Sequence, residues 1–452
     1  MTMGTAPDTS ASPQTEAPRK LGRWMATCLV LGNMIGSGVF LLPASLAPLG
    51  WNSVFGWLFT IAGAVFLAAV FCRLSRAMSA EGGPYAYTRA AFGPLAAFLV
   101  AWSYWMSLWI GNAAIAVAAT SYLTTLIPPL GDVPRLAAVS TCLLIWLLTL
   151  VNARGARLVG GVQVITSLLK LVPLAVVVGL AALALASGNA APLPLEISSL
   201  SAPQITAAAT LTLWAFLGLE SATIPAGKIK DPARTIPFAT MAGTVLTGLV
   251  YLFTCSAIVL LMPGEEIAGS NAPFAAFVTR YWGAGPAVLV AVFAAISCIG
   301  ALNGWILVQA EMPYAMAKSG AFPKWFAVQS SRGVPVRALV ATSLLMTVGV
   351  LLNYSRSLAD VFQFLLLLAT ATTLFMYLAC ALAALRLSAK RQLPRKPLME
   401  AVGMLAALYA LWTIYGAGKE TVAWGVALLL AGLPCYALMR RPKRPLLQRD
   451  PA

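Results

Sequence analysis

Two stretches, GNMIGSGVFLLPA at residues 32–44 and LWAFLGLESATIPAG at residues 213–227, interrupt long apolar runs with glycine and proline. In each, a proline follows a key position by five residues: Pro43 follows Gly38, and Pro225 follows Glu220. A membrane helix unwinds only where it lines a cavity or is buried in protein. Matched breaks therefore predict an inverted repeat with its substrate site between them. The competing interpretation, that glycine and proline are simply common in membrane helices, suits a single break better than a matched pair.

The composition around these stretches is that of a polytopic membrane protein. Of the 452 residues, 60% are hydrophobic and 10% are charged, whereas about a quarter of the residues in a soluble domain are charged. The net charge of +16 resides in short loops between apolar runs, so its distribution argues against a nucleic acid partner. The chain contains no histidine, which excludes His-based metal sites and Ser-His-Asp triads. We expect no cofactor and no metal.

Twelve apolar runs are long enough to cross a bilayer, which takes roughly 20 residues. They lie near 24–47, 53–74, 94–124, 135–152, 161–187, 203–226, 237–262, 284–312, 336–353, 359–385, 397–418 and 421–440. With both termini in the cytoplasm, 25 of the 30 Lys and Arg residues fall on the cytoplasmic side, as the positive-inside rule requires. The sequence thus predicts an all-α polytopic membrane protein of twelve transmembrane helices in a 5+5 inverted repeat, with helices 1 and 6 broken.

This pattern divides the chain into three parts. Residues 1–20 are predicted to be a disordered cytoplasmic tail, and residues 441–452 a basic cytoplasmic tail. Between them, residues 21–440 form one transporter domain, with a first repeat at 24–187, a second at 203–385 and two last helices at 397–440. The seven cysteines fall singly in apolar runs, and we expect them to be small buried apolar residues.

Two charged residues are predicted to lie inside spans. Glu220 is the acidic residue at the centre of a span, where ionisation is costly, so it is a candidate proton or cation sensor. The alternative is that it caps backbone groups freed by the break. Lys170 lies too deep in the fifth span for easy snorkelling. Its ammonium group is predicted to lie beside the broken first helix and to titrate during transport.

Tryptophans are less specific signals. Trp105, Trp109, Trp214 and Trp305 all suit packing or an interfacial belt. Trp214 differs because it precedes Gly218 by four residues, beside the break. Trp305 lies in the middle of the eighth span, where its ring face is suited to stacking on a guanidinium or ammonium group.

At these residues the chain resembles the amino acid, polyamine and organocation superfamily of transporters. More narrowly, it resembles the basic amino acid/polyamine antiporters of the arginine/agmatine type. The motifs that carry the resemblance are GNMIGSGVFLLPASLA at 32–47, GWLFTIAGA at 56–64, GGPYAYTRAAFGP at 82–94, YWMSLWIGN at 104–112, LWAFLGLESA at 213–222 and NGW at 303–305. The resemblance implies the LeuT-like fold, an inner-membrane location and a homodimer.

The resemblance also implies a set of site residues. Those that would bind the substrate are Met34, Ser37, Gly38, Ser107, Asn112, Trp214, Leu217 and Trp305. Ser37 and Gly38 would hold the carboxylate, and Trp305 would stack on the guanidinium group. The α-amino group would be held by the carbonyls of Met34, Trp214 and Leu217, and Asn112 would hydrogen-bond near the side-chain head. Those that would gate or couple transport are Tyr104, Trp214, Glu220, Tyr377 and Lys170.

Departures from that family pattern leave the substrate open. Ser107, Leu108 and Ala369 replace residues that contact the substrate head in the arginine antiporter, and Lys170 resembles the fifth-span lysine of proton-coupled members. The first hypothesis is exchange of a cationic, arginine-like amino acid for its decarboxylated, agmatine-like amine. The second is a proton-coupled or facilitative permease for neutral or cationic amino acids that uses Lys170. A membrane receptor or enzyme is disfavoured because the sequence shows no catalytic constellation.

Overall fold

The computed structural model describes residues 22–78, 83–154, 166, 169–224, 226, 229–352 and 357–439. Pro225 and Lys228, the two tails and most of residues 161–168 lie outside these ranges, so the predictions made for them concern undescribed residues. Within the ranges, ten helical segments of 18 or more residues are long and apolar enough to cross a membrane. Two shorter apolar helices, Leu171–Ala186 and Val336–Leu351, accompany them.

The described α-helices follow one another along the chain, and several 3-10 turns lie between them. They are α1 (Arg23–Met34), α2 (Gly38–Leu46), α3 (Trp51–Ala77), α4 (Pro84–Phe92), α5 (Pro94–Leu123), α6 (Pro129–Asp132), α7 (Pro134–Ala153), α8 (Leu171–Ala186), α9 (Ala202–Leu213), α10 (Pro232–Leu261), α11 (Gly264–Ala268), α12 (Pro273–Trp282), α13 (Ala284–Lys318), α14 (Val336–Leu351), α15 (Leu358–Ala389), α16 (Pro397–Gly416), α17 (Lys419–Leu430) and α18 (Gly432–Met439).

Several helices run past the ends predicted from hydropathy. Helix α10 begins at Pro232, ahead of the predicted start at residue 237, and α13 continues to Lys318, beyond the predicted end at residue 312. Hydropathy marks only the part of a helix that lies in hydrocarbon, whereas backbone hydrogen bonding continues into the polar interface. The last apolar run is divided into α17 and α18 at Ala431.

Both predicted breaks are present in the described residues. The first apolar run is divided into α1 and α2, and residues 35–37 between them are not helical. In the second, α9 ends at Leu213 and is followed by two 3-10 turns, Trp214–Phe216 and Ser221–Thr223. Gly218 lies between these turns with φ +108°, a conformation that favours glycine.

Pro43 lies inside α2 and has no N–H with which to bind the carbonyl of Val39. The thiol of Cys255, from α10, approaches that carbonyl with Sγ at 3.8 Å. A buried cysteine therefore partly replaces the hydrogen bond that proline removes.

Helix α5 is the centre of the bundle, because it packs against both α13 and α15 and nearly all its residues are buried. Helix α3 packs against α9 and α10. Helices α17 and α18 lie at the periphery, with few buried residues. Four cysteines are buried as expected, but the expectation is wrong for Cys28, which is exposed, and for Cys142 and Cys435, which are half-buried. These three side chains face the outer surface of the bundle, where apolar residues are also stable in lipid.

Candidate functional site

One cavity lies between the two breaks. Its lining residues are Asn33, Met34, Gly36, Ser37, Gly38, Tyr104, Ser107, Leu108, Gly111, Asn112, Ile115, Trp214, Leu217, Glu220, Trp305 and Thr373. All eight residues that the sequence predicts to bind substrate are among them. Among the described residues that line the cavity, Glu220 is the only one with a charged side chain.

The carbonyl groups at the end of α1 are capped by side chains from three other segments. Lys170 Nζ donates to the carbonyl of Gly32 at 2.7 Å, Trp305 Nε1 to that of Asn33 at 3.3 Å, and the Tyr251 hydroxyl to that of Met34 at 2.7 Å. The last four carbonyls of a helix lack intrahelical partners. The break in α1 is thus held open by hydrogen bonds that replace the helical ones.

The Met34 carbonyl, which was predicted to bind an α-amino group, already has two donors. It accepts from Tyr251 and from the backbone N–H of Gly36 at 2.8 Å. The Trp214 carbonyl accepts from the N–H of Leu217 at 3.1 Å. Of the three predicted carbonyls, that of Leu217 is therefore the one without a hydrogen bond to another described residue.

The start of α2 has free hydrogen-bond donors. Within the described ranges, the backbone N–H groups of Ser37 and Gly38 have no acceptor. The Ser37 hydroxyl is buried and also lacks a partner. Unpaired donors at a helix N-terminus attract an anion, because the helix dipole adds to their partial positive charge. This end of the cavity is therefore suited to a carboxylate.

Trp214 lies across the cavity between two glycines. A Cβ atom on Gly38 would lie 2.6 Å from Cδ1 of the indole, and a Cβ on Gly111 would lie 2.9 Å from Cη2. Both distances are too short for real carbon contacts. Because Gly38 in α2 and Gly111 in α5 have no side chain, the ring fits between the two helices. Gly38 therefore has a packing role in addition to its predicted contact with substrate.

The ring of Trp305 is positioned in a similar way by the second break. A Cβ on Gly218 would lie 3.3 Å from Cζ2 of Trp305 and 3.3 Å from the carbonyl carbon of Asn33. Since Nε1 of the same indole bonds to Asn33, Trp305 joins α1, the second break and α13.

Glu220 is buried and held by two hydrogen bonds. Its Oε2 accepts from the Tyr377 hydroxyl at 2.6 Å and from the backbone N–H of Gly218 at 3.2 Å. The Tyr104 hydroxyl lies near the same carboxyl group but does not meet the geometry of a hydrogen bond. Two predicted gating residues, Tyr377 and Glu220, are thus in direct contact, with Tyr104 beside them.

Lys170 and Tyr377 do not line the cavity. Lys170 is buried behind α1 and reaches it through Gly32, so its ammonium group lies beside the broken first helix, where the sequence predicted it. Tyr377 reaches the cavity through Glu220. Ala369 also lies outside the lining.

Two polar residues of the site were missed from the sequence. Tyr251 caps Met34, and Gln309 accepts a hydrogen bond from Asn112 Nδ2 at 2.7 Å. Gln309 lies one helical turn after Trp305, so the same helix face carries both. This spacing of four residues from Trp305, a predicted binding residue, is the signal by which the sequence could have indicated Gln309.

Comparisons with known proteins identify the family of the chain. The family model of the amino acid permeases matches residues 21–431. The chain belongs to the amino acid permease family. It is therefore a multi-pass membrane transporter of the amino acid, polyamine and organocation superfamily, and not an enzyme.

Individual relatives in this family are antiporters and polyamine transporters. The chain is 36% identical to the cadaverine/lysine antiporter of Escherichia coli, over 73% of this chain and 74% of the relative. It is 31% identical to a putative arginine/ornithine antiporter of Bacillus subtilis and 30% identical to the putrescine transporter PotE of Haemophilus influenzae. Each of these two matches covers 93% of this chain and 97% of the relative.

Proposed function

We propose that this amino acid permease exchanges a cationic amino acid for its decarboxylated amine by alternating access. Arginine with agmatine and lysine with cadaverine are the candidate pairs. The observation that carries the proposal is the cavity between the breaks, which joins unpaired donors at Ser37 and Gly38 to an acidic side chain, Glu220, and an indole face, Trp305. The relatives named for cadaverine/lysine and arginine/ornithine antiport support it.

The two ends of a cationic amino acid suit the two kinds of group in this cavity. Its carboxylate matches the donors at the start of α2, and its distal cation matches an acidic residue and an aromatic face. A decarboxylated amine lacks the first of these contacts but keeps the second. Both exchange partners therefore share the cationic end of the site.

A second function, a proton-coupled or facilitative permease, is favoured by Lys170. Its Nζ lies 2.7 Å from the carbonyl of Gly32, so protonation of the lysine is coupled to the end of α1. In that mechanism the lysine titrates and no counter-substrate is needed. Uptake of neutral amino acids would also fit, since no distal cation is required.

The architecture that we propose around the site has twelve spans, counting the two shorter apolar helices α8 and α14, with a 5+5 inverted repeat. We also propose a homodimer in the bacterial inner membrane, with both termini in the cytoplasm. The two broken segments, five spans apart, support the repeat, and the Lys and Arg distribution supports the orientation.

Uptake of radiolabelled arginine or lysine into proteoliposomes tests the function. The vesicles are preloaded with agmatine, cadaverine, ornithine, a neutral amino acid or buffer alone. We expect uptake only with a cationic amino acid or amine inside. Uptake into buffer-filled vesicles under an inward proton gradient, abolished by Lys170→Ala, would instead establish the permease.

A further inference from the structure

The side chain of Asn112 has two different hydrogen-bonding ends, and only one of them is occupied. Its Nδ2 donates to Oε1 of Gln309 at 2.7 Å. Its Oδ1 accepts no hydrogen bond from any described residue, although Asn112 lines the cavity. Gln309 itself is fully buried and does not line the cavity, so it lies behind Asn112.

A side-chain amide presents a donor on one side and an acceptor on the other. If Gln309 holds the NH2 group of Asn112, the oxygen of Asn112 is turned towards the cavity. An oxygen there accepts hydrogen bonds from ammonium or guanidinium groups and repels carboxylates. The sign of the substrate's distal group is therefore set by a residue that the substrate does not touch.

We infer that Gln309 is a positioning residue that fixes the amide of Asn112 with its oxygen towards the cavity and so selects substrates with a distal N–H donor. This inference deepens the proposed function, on which it rests. Within the described part of the chain Gln309 Nε2 is buried without a partner, so the pair is held by Gln309 Oε1 alone, which accepts from Asn112 Nδ2. Without Gln309, the NH2 group of Asn112 loses its buried partner and turns towards water in the cavity. To bind a cationic substrate, the Asn112 amide must then turn its oxygen back towards the cavity, which leaves its NH2 group buried without a partner.

Two substitutions separate this role from a structural one. Gln309→Met has a similar shape but no hydrogen-bonding group, whereas Gln309→Glu only accepts and so preserves the orientation of Asn112. The chain also supplies a control at an exposed position, where the asparagine Nδ2 keeps a second acceptor, the carbonyl of Ser199. Gln204 Oε1 accepts from Asn52 Nδ2 at the same 2.7 Å, in a pair that does not line the cavity. Gln204→Met therefore removes the same kind of bond elsewhere.

The measurement is equilibrium binding to the purified full chain of lysine, norleucine and 2-aminoadipate, which end in an ammonium, a methyl and a carboxylate group. We expect the wild type to bind lysine most tightly. Gln309→Met should lower the preference for lysine over norleucine by about tenfold, through the Kd of lysine, because a donor is left unpaired. Gln309→Glu should keep the preference, and Gln204→Met should leave it unchanged.

Three results would overturn the inference: an unchanged preference in Gln309→Met, an equal loss in Gln309→Glu, or tighter binding of norleucine or 2-aminoadipate than lysine by the wild type. Exchange in proteoliposomes is measured on the same preparations. Normal exchange with an unchanged preference would contradict the role of Gln309 alone. The expected binding pattern without any exchange would contradict the proposed function and leave the role of Gln309 standing.

Discussion

At the scale of single residues, the site depends on glycines, which have no side chain, as much as on the tryptophans that pack against them. Trp214 lies between Gly38 and Gly111, and Trp305 lies against Gly218. Each indole is held by close backbone approach, which fixes its orientation more tightly than contact with mobile side chains would. The glycines of the two broken motifs therefore set both the backbone conformation and the position of the rings.

Gly111→Ala tests this packing. The added Cβ would lie 2.9 Å from Cη2 of Trp214, so the ring must move, and we expect at least about tenfold weaker substrate binding because overpacking costs about 1–3 kcal/mol. Gly179→Ala is the matched control, since Gly179 also lies within a helix and a Cβ there meets no atom within 4 Å. Binding is measured by calorimetry. Equal affinity in both variants would show that Trp214 is not fixed by Gly111.

Glu220→Gln tests the charge in the cavity. The substitution keeps the shape of the side chain but removes the only carboxyl group among the described lining residues. We expect lysine binding to weaken by about tenfold or more, because hydrogen bonds to charged groups contribute about 1.5–3 kcal/mol, while norleucine binding changes little. The control is Glu420→Gln at an exposed position in α17. An equal loss of affinity for lysine and norleucine would mean that Glu220 stabilises the fold and does not bind the distal cation of the substrate.

At the scale of elements, the end of α1 is the feature on which the cavity depends. Lys170, Trp305 and Tyr251 come from different parts of the chain and cap three successive carbonyls. A helix end buried without partners would be costly. These caps stabilise the unwound residues 35–37 and so keep the cavity formed.

Tyr251→Phe removes one of these caps. The hydroxyl donates to the carbonyl of Met34 at 2.7 Å and is buried, so its loss should destabilise the protein by about 1–2 kcal/mol. The measurement is thermal unfolding in detergent, with Tyr415→Phe as a control because Tyr415 is 82% exposed. An unchanged unfolding temperature would show that the Met34 carbonyl needs no second donor besides the N–H of Gly36.

The sequence predicted both breaks because glycine and proline, and in the second break Glu220, stand out within otherwise apolar runs. It also identified residues that line one cavity, including Ser37, Trp214 and Trp305. Gln309 and Tyr251 were missed because each acts on a residue of another helix that is remote in sequence. The periodicity of a helix does not show which residues of other helices it contacts. The start of α10 and the end of α13 were also missed, because these residues extend beyond the hydrocarbon region and are no longer strongly apolar.

At the scale of the whole molecule, the charge distribution assigns a side of the membrane to each loop. Lys390 follows α15 in a basic loop, which the positive-inside rule assigns to the cytoplasm. Asn189 follows α8 in a loop without Lys or Arg, which is assigned to the outside. The two positions are both exposed, so they differ mainly in the side on which they are predicted to lie.

Cysteine labelling tests this topology. In a cysteine-free background, Asn189→Cys should react with an impermeant maleimide in intact cells, and Lys390→Cys only after permeabilisation. Both variants must still transport substrate. Labelling of both from the outside, or the reverse order, would contradict the arrangement with both termini in the cytoplasm and an even number of spans.

We expect substrate to bind between the two breaks. A cryo-EM reconstruction of the full chain with saturating lysine or arginine tests this location. We predict density in the cavity, with the carboxylate at the N–H groups of Ser37 and Gly38 and the distal cation near Trp305 and Asn112. An empty cavity with substrate density elsewhere in the chain would contradict it.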